Sequence, residues 1–155
     1  RVLTAVEDVN EDQKRVLAEK VMTHFGKDLT GKTFAIWGLS FKPKTDDMRE
    51  APAIEIINGL TQAGAKIRAF DPVAIETAKQ VFIDNKMVEY VKGNYDALEN
   101  ADALILVTEW HQFRNPDFEE MKKIMKETVI FDGRNQYDPQ KMRSMGFTYF
   151  GIGRL

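Results

Sequence analysis

Four side chains in one stretch of sequence have the types and spacing to grip an anion attached to a flat group. The stretch is Gly38-Leu39-Ser40-Phe41-Lys42-Pro43-Lys44-Thr45-Asp46-Asp47-Met48-Arg49-Glu50. Phe41 offers an apolar face to a base or sugar, and Lys42, Lys44 and Arg49 offer cations to a phosphate. The GxGxxG spacing that brings a pyrophosphate onto a helix N-terminus is missing, so this is not a dinucleotide fingerprint. A second reading makes the segment a solvated loop in which Asp46, Asp47 and Glu50 pair with the neighbouring bases. The length of the connection, well beyond the usual two to six or so residues of a βα link, favours binding.

A second cation stands in Asp132-Gly133-Arg134-Asn135, directly after an apolar run. A guanidinium there suits a phosphate or sugar oxygen, with Gly133 expected to permit a tight turn; the alternative is a structural Arg bonded to Asp132 or to loop carbonyls. Thr108-Glu109-Trp110-His111 places a carboxylate, an indole and an imidazole together. With no serine or cysteine at an interpretable spacing, His111 reads as a surface or hydrogen-bonded histidine and His24 as incidental. Trp37 reads as core, and Trp110 as packing against the loop after the first strand. The chain has no cysteine, which excludes disulfides, thiolate metal sites and a thiol nucleophile within these residues. No catalytic residue and no metal ligand is assigned.

These segments need elements to position them. Apolar residues from Val2 to Phe25 recur at helical spacing, and Gly26 to Gly31 form a connector. Strand patterns follow at Lys32 to Gly38, Lys66 to Phe70, Met87 to Val91, Ala103 to Val107, Thr128 to Phe131 and Phe147 to Phe150. Helical patterns lie between them, from Ala51 to Ala63 with Pro52 near the start, Val73 to Phe82, Asn94 to Asn100, Pro116 to Lys126 and Pro139 to Met145. Alternating strands and helices with short links predict an α/β fold, a Rossmann-like doubly wound, mainly parallel six-stranded sheet with an extra N-terminal helix. In such a sheet ligands bind beyond the carboxyl ends of the strands, which singles out the loops after strands one, four and five.

At 155 residues and 43% hydrophobic the chain can build one substantial core. With 22 basic against 24 acidic residues it has no field that would collect a nucleic acid, so phosphate recognition has to be local. No apolar run approaches the roughly 20 residues that span a bilayer. The expected setting is soluble and cytoplasmic. Because Arg1 opens directly into a helical pattern without a cap, the chain is expected to be cut from a longer one.

The run from Gly38 to Pro52 resembles the opening of the C-terminal domain in the UDP-glucose/GDP-mannose dehydrogenase family. Gly64-Ala65 leading to Phe70-Asp71-Pro72, Ala101-Asp102-Ala103, Thr108-Glu109-Trp110 and Phe131-Asp132-Gly133-Arg134-Asn135 follow in family order. The stretch Val6 to Gln13 resembles the end of the family's central helix, which joins two Rossmann-like halves and forms a dimer interface. Residues 1–26 are therefore expected to be the end of that helix, and 32–155 a nucleotide-sugar-binding domain. The version Thr45 to Pro52 is more similar to the UDP-glucose branch than to the GDP-mannose or UDP-N-acetylmannosamine branches.

The resemblance implies a whole enzyme that oxidises the C6 alcohol of a nucleotide sugar twice, with two NAD⁺ and a thiohemiacetal on a cysteine, giving a uronate for polysaccharide biosynthesis. Neither that cysteine nor the NAD fingerprint is in these residues, so this stretch is expected to be inactive alone. Phe41, Lys42 and Arg134 match positions that contact the UDP-sugar. Arg49 matches one that reaches NAD held by the N-terminal half, and Asp46 and Asp47 are read as holding the loop. The partners implied are a UDP-sugar, the N-terminal half and a second copy through the first helix. A reading from another class is a stand-alone nucleotide-binding or dimerisation module without an enzymatic role.

Overall fold

The computed structural model describes residues 16–153. Residues 16–25 form helix α1; the part of the expected helix before residue 16, with the resemblance read in Val6 to Gln13, lies outside the described residues. The remaining order is β1 (Thr33–Trp37), α2 (Pro52–Gln62), β2 (Lys66–Phe70), α3 (Ile75–Val81), β3 (Val88–Tyr90), α4 (Asn94–Leu98), β4 (Ala103–Leu106), a 3-10 turn (His111–Phe113), α5 (Phe118–Ile124), β5 (Val129–Asp132), α6 (Pro139–Ser144) and β6 (Thr148–Phe150).

All six strands are parallel, in the order β3-β2-β1-β4-β5-β6. The expectation of a mainly parallel sheet becomes a wholly parallel one. Strand order reverses between β1 and β4, which pair from Phe34↔Ala103 to Trp37↔Leu106. That reversal opens the crevice at the carboxyl edge of the sheet.

Period-two alternation divides the core into two layers. Phe34 and Ile36 of β1, Ala103 and Ile105 of β4, and Val129 and Phe131 of β5 face one layer, which α1, α2 and α3 cover with Leu17, Val21, Ile56, Ile57, Leu60 and Ala78. Ala35, Trp37, Leu104, Leu106 and Ile130 face the other, under Leu98, Phe118, Met121 and Met142 of α4, α5 and α6. Strands buried on both faces explain the uninterrupted apolar runs of β4 and β5.

Helix α1 lays its apolar positions on this domain's own sheet. Leu17 and Val21 are buried, and Phe25 packs against Phe34 and Phe131 at centroid distances of 5.3 and 6.2 Å. Trp37 is buried as expected, stacks on Phe113 at 4.9 Å and donates its indole N–H to the Asn94 carbonyl at 2.8 Å.

Helix ends follow local chemistry. Pro52 and Pro139 stand in the first turns of α2 and α6, where a missing N–H costs nothing, and the side chains of Asp117 and Asp138 cap α5 and α6. Gly146 closes α6 with φ of 95°.

Candidate functional site at the carboxyl edge

The loop between β1 and α2 is folded tightly upon itself. The Phe41 N–H donates to the Asp47 carbonyl at 2.8 Å, the Asp47 N–H to Thr45 Oγ1 at 3.1 Å, and the Ser40 hydroxyl to the Lys42 carbonyl at 2.8 Å. Met48 is buried in the core beneath it. Lys44 and Glu50 hold φ of 69° and 60°, a region that side-chain-bearing residues seldom occupy and that is tolerated where the surroundings impose it.

A single carboxylate ties this loop to its neighbours. Asp71, at the carboxyl end of β2, is 2% exposed. Its Oδ2 accepts from the N–H groups of Leu39 at 2.7 Å and Ser40 at 3.2 Å and from the Trp110 indole at 3.3 Å. Its Oδ1 accepts from Val73 and Ala74 N–H, each at 2.8 Å. Trp110 is thus half-buried at the mouth of the crevice with its N–H satisfied, packed against the core from the edge.

Across the strand-order reversal, the Thr108 hydroxyl donates to the Ser40 carbonyl at 2.7 Å. The next residue, Glu109, places Oε2 3.0 Å from Arg134 Nε in the loop after β5. Ser40, Thr108, Glu109 and Arg134 therefore form a chain of contacts across one edge, with Phe41 and Lys42 immediately beyond Ser40. Phe41 is 40% exposed and Lys42 is exposed, with no carboxylate at salt-bridge distance among the described residues. The three side chains expected to contact a nucleotide sugar thus belong to loops joined along that edge.

The loop after β5 is rigid for a reason the sequence reading did not foresee. Gly133 needs no positive φ; instead, a Cβ there would meet the Leu106 carbonyl oxygen at 2.8 Å and Leu17 Cδ2 at 2.9 Å. Close approach, not turn conformation, demands the glycine. Buried Asp132 accepts from the Arg134 N–H at 3.0 Å, the Tyr137 N–H at 2.9 Å and the Tyr149 hydroxyl at 2.8 Å. Burial, with the Asp132 charge beside it, pushes the Tyr137 phenol well above its ordinary range. Asp132 takes the backbone N–H of Arg134 and not its side chain, whose ion-pair partner is Glu109.

Arg49 stands apart from this chain of contacts. Its guanidinium meets Asp47 through Nε at 3.1 Å and Nη2 at 2.9 Å, and its own N–H also donates to Asp47 Oδ1 at 2.9 Å. The side chain read as reaching toward a cofactor is therefore paired within its own loop. Arg49 also borders an open groove of about 550 Å³ lined by Met48, Ile54, Thr77 and Val81, whereas Arg134 borders a small pocket with Pro52, Ile56 and Val107. The self-paired reading of the loop holds for Asp47 and Arg49, while Lys42 acts on Asp47 only through space, without a salt bridge among the described residues.

His111 and His24 are exposed, and no group of three His, Asp or Glu side chains among the described residues could hold a metal. Nor does β1 turn directly into a helix N-terminus: α2 begins only at Pro52, after the long loop. The turn after β1 is therefore not of the kind that sets a pyrophosphate on a helix N-terminus. What the described residues bring together is Phe41, Lys42 and Arg134 on loops joined along one edge by the Ser40–Thr108 bond and the Glu109–Arg134 pair.

Fold and crevice define a doubly wound α/β domain with a ligand edge at its strand-order reversal. Residues 35–139 match the UDP-glucose/GDP-mannose dehydrogenase family, UDP binding domain, and the chain belongs to that family. It is 43% identical over 157 residues to the UDP-glucose 6-dehydrogenase of Pseudomonas aeruginosa, covering 99% of this chain and 35% of that protein. To the UDP-glucose 6-dehydrogenase of Rhizobium meliloti it is 38% identical over 154 residues, with 99% and 35% covered. The structure of a UDP-glucose dehydrogenase from Pyrobaculum islandicum superposes with a TM-score of 0.78 at 30% identity, over 98% of this chain and 32% of that one. The chain thus spans about a third of the length of these relatives. Among its described residues no helix is long and apolar enough to cross a membrane.

Proposed function

We propose that this chain is the UDP-sugar-holding C-terminal domain of a UDP-glucose 6-dehydrogenase, an enzyme that oxidises UDP-glucose to UDP-glucuronate with two NAD⁺. The observation that carries the reading is the joined edge: exposed Lys42 beside the Ser40–Thr108 bond, with no carboxylate at salt-bridge distance among the described residues, and Arg134 fixed beside Glu109. Phe41 packs against the uracil or sugar, while Lys42 and Arg134 offset the diphosphate charge.

NAD supplies the hydride acceptor when bound, and it is held by the N-terminal half of the enzyme. Arg49 reaches toward it after leaving Asp47. Residues 1–26 are the end of the central helix through which two copies pair.

UDP titrated by calorimetry into the 155-residue chain tests the reading. Lys42→Ala and Arg134→Ala each remove a charge-assisted contact of about 1.5–3 kcal/mol, or roughly ten- to hundredfold in affinity. Arg49→Ala leaves UDP affinity unchanged. Equal binding by all four proteins would remove the assignment, and a loss confined to Arg49→Ala would mean that the two cation roles are exchanged.

A further inference from the structure

The reading above gives Glu109 no role toward the ligand, yet it is the carboxylate that pairs with Arg134. Its Oε2 lies 3.0 Å from Arg134 Nε, with the two side chains 36% and 27% exposed. Nε itself has no accessible surface and no aligned acceptor, so the contact is an ion pair off the N–H axis rather than a straight hydrogen bond. The exposure of Arg134 lies elsewhere on the side chain, and neither Nη1 nor Nη2 has a protein acceptor among the described residues.

Both backbones are fixed. Glu109 sits between Thr108, bonded to Ser40, and Trp110, bonded to Asp71. Arg134 sits between Gly133, whose N–H donates to the Leu106 carbonyl at 2.8 Å, and Asn135, whose side chain exchanges two 2.8 Å hydrogen bonds with the backbone of Ile152. Only the side-chain torsions of Arg134 remain to be set. A lone Arg would lose much rotamer freedom on meeting a ligand, and an anchored one has already lost it.

We propose that Glu109 is a positioning residue for Arg134, which it holds by the Nε side so that the two terminal nitrogens are free to take one phosphate of the nucleotide diphosphate as a fork. The proposal rests on the site reading above and gives Glu109 a role that reading does not assign. A carboxylate beside a phosphate site costs some repulsion. Here its closest approach is to Nε, at 3.0 Å, and neither terminal nitrogen makes a hydrogen bond to it, so the fork keeps its donors for the ligand.

The test is UDP titration of the wild type, Glu109→Gln, Glu109→Asp, Arg134→Ala and the double variant E109Q/R134A. Glu109→Gln keeps the shape and removes the charge, and it weakens UDP binding about five- to tenfold; Glu109→Asp recovers part of the loss. In the Arg134→Ala background Glu109→Gln has no further effect, because its target is gone. A gain in affinity in Glu109→Gln would make Glu109 a competing anion, and additive losses would make it an independent contact; either overturns the proposal. The Arg134 Nε–Hε NMR signal gives a readout that needs no ligand: it is ordered and slow to exchange in the wild type and broad and fast in Glu109→Gln. An unchanged signal overturns the proposal. If the wild type fails to bind UDP, the site reading fails, and the Nε signal still decides whether Glu109 orders Arg134.

Discussion

A Cβ on Gly38 would stand 2.5 Å from the Cβ of Thr108 and 2.6 Å from its backbone nitrogen. Gly38 also holds φ of 97° at the point where β1 leaves the sheet. The loops after β1 and β4 can therefore lie side by side only because residue 38 has no side chain, and that proximity is what allows the Thr108 hydroxyl to reach the Ser40 carbonyl.

Gly38→Ala meets both obstacles together, an unfavourable backbone conformation and an overlap with backbone as well as side-chain atoms. The expected loss is about 2–5 kcal/mol, read as a lower urea midpoint at unchanged slope. A midpoint within experimental error of the wild type would show that the two loops can separate at little cost.

Asp71→Asn tests the carboxylate that joins three segments. Oδ2 serves Leu39, Ser40 and Trp110 while Oδ1 serves Val73 and Ala74. Whichever way the substituted amide is turned, its NH₂ faces backbone N–H donors that lose their acceptor. Destabilisation on the order of 3 kcal/mol is expected, with weaker UDP binding because the Phe41–Lys42 segment is no longer tethered. Retention of both stability and affinity would deny Asp71 this role.

Much of the fold was legible because its signals are local. Alternating apolar strands, Pro at helix starts and Gly beyond helix ends place β2 at Lys66–Phe70 and α6 at Pro139–Ser144, within a residue of the sequence reading. Candidate site residues could be picked from the sequence only where a residue type suggests its chemistry, as for Phe41, Lys42 and Arg134. Glu109 and Asp71 escaped as site-building residues because their roles depend on which loops meet across the reversal between β1 and β4. The sequence separations involved, 32 residues from Leu39 to Asp71 and 39 from Asp71 to Trp110, carry no periodic signal. Gly133 was noticed for the wrong reason: turn chemistry is visible in sequence, whereas close approach to Leu106 and Leu17 is a property of the packed fold.

The 155 residues alone are expected to show no NAD-dependent oxidation of UDP-glucose. They contain no thiol, and β1 leads into a long loop instead of a pyrophosphate-binding turn. Steady NADH production by a preparation free of contaminating dehydrogenase would overturn this, and with it the assignment of both functions to the N-terminal half.

The Asp47–Arg49 pair has a defined pH range. Side-chain and backbone hydrogen bonds from Arg49 lower the Asp47 carboxyl from its ordinary 3.8 to about 2, and the same contact raises the Arg49 guanidinium. For a carboxyl depressed in the folded state, the stabilising contribution is fully present above the unfolded value and disappears as pH falls through the folded one. The pair should therefore be intact from neutral pH down to about 4 and be lost between there and about 2. Because both partners are solvent-facing, the consequence is local order of the loop rather than global stability. Following the Asp47 side-chain carboxyl carbon by NMR should give a midpoint near 2 in the wild type and a higher one in Arg49→Ala, still below the ordinary value because the backbone N–H of residue 49 is kept. If Arg49→Ala leaves the midpoint near 2, Arg49 is not what holds Asp47 ionised, and an Arg49 already free of Asp47 would have no pair to break in reaching a cofactor.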